Sequence, residues 1–164
     1  MYLYHAVIEQ NSDIHISPQN ALDSGLSIRT ATWRYTNGGD LFPEITELLR
    51  PATSPKWLDF KIAFGAELVP SVKPHFRFPI FSDKIFVFNQ ELSDDLFAYV
   101  EDEYMNAETG GGYFTKGLPS KEELVKQYWE SMMTVDGYLK EKPYKEPEIL
   151  IFEQVPKTLL EYIK

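Results

Sequence analysis

The tightest constraint on this chain lies between two prolines near its C-terminal end, Pro147 and Pro156. Between them Ile149 to Phe152 form an uninterrupted apolar run. Its shortness and its β-branched content favour a buried strand over a helix. Pro156 stands at a first helical position, and Leu159, Leu160 and Ile163 make one stripe, so a short helix is predicted after the strand. Two carboxylates, Glu146 and Glu148, precede the apolar run. Side chains alternate along an extended chain, and Pro147 biases Glu146 towards extended geometry, so the two acids are predicted to share a face. A carboxylate at the mouth of a buried strand adds little to folding and is well placed for chemistry. The plainer alternative is a charged, solvated strand mouth.

The remainder of the sequence sets bounds. At 164 residues, one domain spanning 1–164 is expected, large enough to bury a core. A hydrophobic content of 43% excludes disorder as the default. The 11 Phe and 10 Tyr supply core volume, or stacking surfaces for a flat ligand. The absence of cysteine excludes disulfides and thiolate metal sites, and no metal is expected. The start, Met-Tyr-Leu-Tyr-His-Ala-Val, lacks the basic flank of a leader peptide, and no apolar run reaches membrane-spanning length. A cytoplasmic protein without a membrane partner is the expectation. The net charge of −9 argues against a nucleic-acid partner unless a local basic patch escapes the total.

In chain order, Tyr2–Ile8 is predicted as a first strand carrying His5. A compact helix follows, capped by Ser17, opened by Pro18 and ended by Gly25. Arg29 and Arg34 then flank Trp33, beside Tyr35. Guanidinium next to aromatic rings suits a pyrophosphate and a stacked base, while the plainer alternative is surface arginine paired with acids. Asn37–Asp40 is a turn, not a phosphate-binding loop. Pro43–Leu49 reads as a helix. Leu58, Phe60, Ile62 and Phe64 alternate, which predicts a half-buried strand over Trp57–Phe64 with Glu67–Val72 as its partner. Phe76, Phe78 and Ile80 predict another strand, and Lys84–Asn89 the strongest internal one. Ser93 is placed as the cap of a helix with Leu96, Phe97, Val100 and Tyr104 on one side and an acidic opposite face. Glu108–Tyr113 is expected to be a mobile loop. The capping box at Ser120 and Glu123 opens a helix bearing Leu124, Val125, Tyr128, Trp129 and Met132, and Thr134–Leu139 adds a further turn. The sum is an α+β chain with a split, mostly antiparallel sheet flanked by helices.

Four segments resemble the ADP-ribosyltransferase superfamily, one of them the short helix ending in Gly25-Leu26, where the family has Glu-Gly-Leu. The stretch Glu-Pro-Glu-Ile-Leu-Ile-Phe-Glu-Gln-Val-Pro is similar to its last motif, in which a Glu opens a hydrophobic strand, and is closest to the DarT-type toxins that ADP-ribosylate DNA. The Glu-Pro-Glu also resembles the Glu-x-Glu pair of arginine-directed transferases. Leu3-Tyr4-His5-Ala6 resembles the first motif, an aromatic-His-Gly-Thr run, with Ala6-Val7 standing where the family has Gly-Thr. The strand and helix from Lys84 resemble the central motif, without its tyrosine. The resemblance implies an ADP-ribosyltransferase-like fold, NAD as substrate, and a glycosyl-transferring enzyme that modifies a macromolecular acceptor, protein or nucleic acid. It gives Glu148 the stabilisation of an oxocarbenium-like ribose and Glu146 the orientation or deprotonation of the acceptor. His5 would position the ribose, Arg29 the pyrophosphate, and Phe86 or Phe88 the nicotinamide.

A different class competes. Net charge, aromatic richness and the departures from the motifs also fit a non-enzymatic acidic interaction protein, a phage- or immunity-type inhibitor of a partner protein. A metal hydrolase is disfavoured, because no clustered Asp…Glu-x-Lys or His-x-His spacing occurs.

Overall fold

Local signals set the helix boundaries closely. In the computed structural model, which describes residues 1–8, 17–31, 41–105 and 112–164, the Ser17 hydroxyl accepts from Gln19 N, Pro18 opens helix α1 (Pro18–Ser24), and Gly25 ends it at φ +99°. A side chain at Gly25 would also collide with the Val155 carbonyl, 2.7 Å from an added Cβ, so glycine is required there twice over. Helix α2 is Leu41–Glu47, and α3 is Gln90–Met105. The Ser120 cap opens α4 (Lys121–Glu130) as the capping box predicts, and Thr134 caps α5 (Val135–Glu141).

The fold is α+β, with two three-stranded antiparallel sheets among the described residues. Their strands are β1 (Tyr2–Ala6), β2 (Phe64–Ala66), β3 (His75–Pro79), β4 (Ile85–Asn89), β5 (Pro147–Ile151) and β6 (Glu161–Ile163). One sheet runs β1-β3-β6, with His5 opposite Phe76. The other runs β2-β5-β4, with Gly65 opposite Leu150. The expected split antiparallel sheet is thus present. No helix among the described residues is long and apolar enough to cross a membrane.

By packing, the chain divides into two compact units: Met1–Arg34 with Leu58–Phe86 and Glu148–Lys164, and Tyr35–Trp57 with Val87–Pro147. The first buries Leu3, Leu26, Phe64, Phe76, Phe78 and Leu150. The second is built on aromatic rings. Phe88 stacks on Tyr128 at 4.7 Å, and Phe42 stacks on Phe97 at 4.6 Å. Trp129 is 5% exposed, donates from Nε1 to Thr46 O at 2.8 Å, and carries Arg50 over its ring.

Several sequence expectations are corrected. Trp57–Phe64 is not a strand: its middle is a 3-10 turn, Phe60–Ile62, capped by Asp59, and β2 begins only at Phe64. Ile62 accordingly points outward, although Leu58, Phe60 and Phe64 are buried. Glu67 contributes one bridge to Tyr4 rather than opening a strand that pairs with its predecessor. The helix expected after Pro156 is a 3-10 turn, Lys157–Leu159, followed by the strand β6. Pairing with β3 decides this, through Phe76 opposite Tyr162 and an Arg77–Glu161 ion pair, and tertiary pairing outweighs the weak stripe of a short segment. Ser93 does not cap α3. The helix starts three residues earlier, where Asn89 Oδ1 accepts from Glu91 N, and Ser93 lies buried within it. The Asn37–Asp40 turn and most of the loop expected at Glu108–Tyr113 fall outside the described residues.

Removing the Trp129 indole deletes a buried ring and the hydrogen bond it donates to the Thr46 carbonyl. Trp129→Ala should cost about 3–5 kcal/mol in urea unfolding. A midpoint equal to the parent's would contradict this packing.

Candidate functional site

The two sheets meet where β1 runs beside β2. Their shared backbone pairing is a single bridge, with Tyr4 N donating to Glu67 O at 2.9 Å and Glu67 N donating to Tyr4 O at 2.7 Å. The next residue on β1, His5, is fully buried, and its Nδ1 lies 2.7 Å from Gly65 O on β2. A carbonyl only accepts, so Nδ1 carries the proton and Nε2 is the basic nitrogen. Burial lowers the His5 pKa, against smaller opposing pulls from the Gly65 hydrogen bond and the Glu67 charge. The imidazole is therefore held neutral and in one tautomer. The Phe64 ring meets it edge-on at 6.0 Å.

On the other side of β2 lies β5. Ala66 faces Ile149 and Gly65 faces Leu150, which sets Glu148 one residue before the paired segment. Glu148 is 1% exposed. The reading of this acid as a solvated group at the strand mouth is corrected: the strand begins at Pro147, so Glu148 already lies inside it. Glu146 is exposed, in the bend ahead of the strand, where its carbonyl accepts from Gln90 N at 2.9 Å. The two acids do not share a face, because strand alternation starts after Glu146. They also fall in different units.

Arg29 sits exposed in the turn that follows α1. That turn is stitched by Thr30 Oγ1 donating to Gly25 O at 2.7 Å and by Ser27 N donating to Thr30 Oγ1 at 2.9 Å. Arg29 lines a groove of about 280 Å³ with Ile28, Ile62, Phe64, Glu153 and Gln154. A second groove of about 450 Å³, lined by Asp23, Gln154, Lys157 and Thr158, shares Gln154 with the first. Phe64 links the groove to the seam, since it lines the one and meets His5 in the other. His5 and Glu148 line neither groove.

The two candidate aromatic platforms part company. Phe86 is half-buried in the first unit, edge-on to Phe152 at 6.4 Å. Phe88 is fully buried, with Tyr128 stacked on it and Trp129 against its edge. It presents no face to a ligand, and its place as a nicotinamide platform is corrected to core. Trp33, Arg34 and Tyr35 lie outside the described residues.

The sequence reading missed Phe64, Gly65, Glu67, Glu153 and Gln154. Glu153 and Gln154 directly follow the apolar run, and their spacing past Glu148 was the one available signal. Glu153 accepts from the Ser82 hydroxyl, and Gln154 donates to the Ser24 carbonyl at the end of α1.

No protein-family model matches the chain, and neither a curated protein nor a solved structure matches it.

Holding His5 neutral ties stability to pH. Its folded pKa lies below the unfolded value of 6.5, so the unfolded chain takes up a proton first as pH falls. The His5 contribution is intact above pH 6.5 and is lost as pH drops towards the folded pKa. The slope should approach about 1.4 kcal/mol per pH unit for one proton. Urea midpoints measured from neutral to mildly acid pH should show this slope in the parent and lack most of it in His5→Gln. Identical pH profiles for the two would exclude His5 as its source.

Proposed function

We propose that the first unit is an NAD-dependent ADP-ribosyltransferase acting on a macromolecular acceptor. One observation carries the reading: β2 is flanked on one side by β1, which bears His5, and on the other by β5, which bears Glu148. The split antiparallel sheet and the motif residues at its seam support it further. In this scheme the bond between the ribose C1′ and nicotinamide breaks, and nicotinamide leaves with the electron pair. Glu148 stabilises the cationic ribose, and His5, fixed through Nδ1–H, orients it. An acceptor nucleophile then bonds to C1′ and releases its proton to water. Arg29 supplies a guanidinium for the pyrophosphate, and Phe86 the aromatic surface. Glu146, in the second unit, carries no step.

His5 and Glu148 are both closed from solvent, so NAD reaches them only if the seam parts. The two backbone hydrogen bonds of the bridge and the His5–Gly65 hydrogen bond are modest restraints, each of the three worth about 1 kcal/mol net.

A second reading, a non-enzymatic acidic interaction protein, is favoured by where the charge lies. The second unit holds sixteen acids against eight Lys and Arg, a net of −8, and the first holds nine against eight, a net of −1. Nearly the whole imbalance belongs to one unit.

The deciding measurement is nicotinamide release and acceptor labelling from labelled NAD. Glu148→Gln keeps the shape and removes the charge, so release should fall by about a hundredfold or more. A melting curve beside it checks that the variant is folded. Parent-level release from folded Glu148→Gln would exclude Glu148, and no release from the parent with protein or nucleic-acid acceptors would favour the interaction protein.

A further inference from the structure

The second unit holds two aromatic rings in water. Tyr113 is 78% exposed and Phe114 46%, and the rings meet edge to face at 5.1 Å. Their loop is not slack. Asp102 on α3 is 6% exposed, and its carboxylate accepts from Gly112 N at 3.1 Å, Phe114 N at 3.0 Å, Thr115 N at 3.1 Å and Thr115 Oγ1 at 2.7 Å. Gly112 turns at φ +82° to bring its N–H into this set. Further along, the Tyr99 hydroxyl donates to Pro119 O at 2.6 Å, and Lys121 pairs with Glu103 at 3.2 Å. A desolvated carboxylate satisfied by four donors is a strong local anchor. Such an anchor orders a loop that still leaves Tyr113 mostly exposed and Phe114 about half exposed. Ordering costs entropy, and exposing two rings forgoes hydrophobic stabilisation.

We propose that the Tyr113–Phe114 pair is a docking knob for an arginine-rich protein segment. Charge complementarity identifies the occupant. The knob belongs to the unit with a net charge of −8; beside Asp102 in the helix Glu101 is exposed, while Glu103 is paired with Lys121, and Lys116 is the exposed cation nearest the rings in sequence. That field draws in cations and repels nucleic acid. Exposed ring faces then favour guanidinium, which stacks on them, over ammonium, which is held by its charge and its hydration. The inference is independent of the chemistry of the first unit.

The test uses the full chain with fluorescent oligo-arginine and oligo-lysine peptides of equal length, followed by anisotropy at physiological ionic strength. The parent should bind oligo-arginine about fivefold more tightly or better, on the scale of two exposed cation–π contacts. The double variant Tyr113→Ser/Phe114→Ser removes only exposed groups, and it should bind both peptides equally. Asp102→Asn, checked for folding by circular dichroism, should lower the preference by loosening the loop. Equal binding of the two peptides by the parent, or an arginine preference undiminished in the double variant, overturns the proposal. So does tighter binding of single-stranded oligonucleotide than of oligo-arginine. Self-association of the parent that the double variant abolishes assigns the knob to a second copy of the chain and overturns it as well.

Discussion

The first unit depends on how β1 meets β2. Two adjacent strands ordinarily zip together along their length, yet here one bridge, Tyr4 with Glu67, carries the backbone pairing. The His5 side chain takes over beside it, with its Nδ1–H reaching the Gly65 carbonyl. An imidazole that is buried, neutral and fixed in one tautomer is therefore structural and chemically specified at once. Strand β1 is committed to β3 on its far edge and β2 to β5, so the bridge and the histidine join two sheets that are each already paired.

The second unit follows other rules. Its core is a set of stacked rings, Phe42, Phe88, Phe97 and Tyr128, with Trp129 tied to the Thr46 carbonyl. Its acids are crowded enough to affect one another: burial, then the neighbouring charges of Asp94 and Glu91, raise the pKa of Asp95. One acid, Asp102, is spent inside the structure as a loop anchor, and many of the others remain at the surface. The same residue type thus serves as internal scaffold and external field within one unit.

The two readings of function do not compete for the same residues. The proposed ribosyl transfer would draw on His5, Glu148 and Arg29, all in the first unit, and the proposed recognition of a basic segment would draw on charge and rings in the second. An enzyme that modifies a macromolecule needs both kinds of surface, and an inhibitor needs only the latter.

Where a feature depends on a few neighbouring residues, the sequence determined it by itself. Ser17, Pro18 and Gly25 bounded α1, Ser120 and Glu123 opened α4, and the apolar run at Ile149 became a strand, because capping and local pattern act within a turn or two. The α+β class and the split antiparallel sheet were legible for the same reason. Partner strands decided the rest. Leu159, Leu160 and Ile163 read as a helical stripe until β3 supplied a ladder for β6, and the alternation of Leu58 to Phe64 read as a strand where Asp59 caps a 3-10 turn. In the candidate site, His5 and Glu148 could be named from the chain, and both come to lie on strands that flank β2. Their burial, the exposure of Glu146 and the loss of Phe88 to the core could not be foreseen. Pattern reports which residues alternate, whereas burial is set by what packs from distant parts of the chain, and that packing exists only once the sheet has formed.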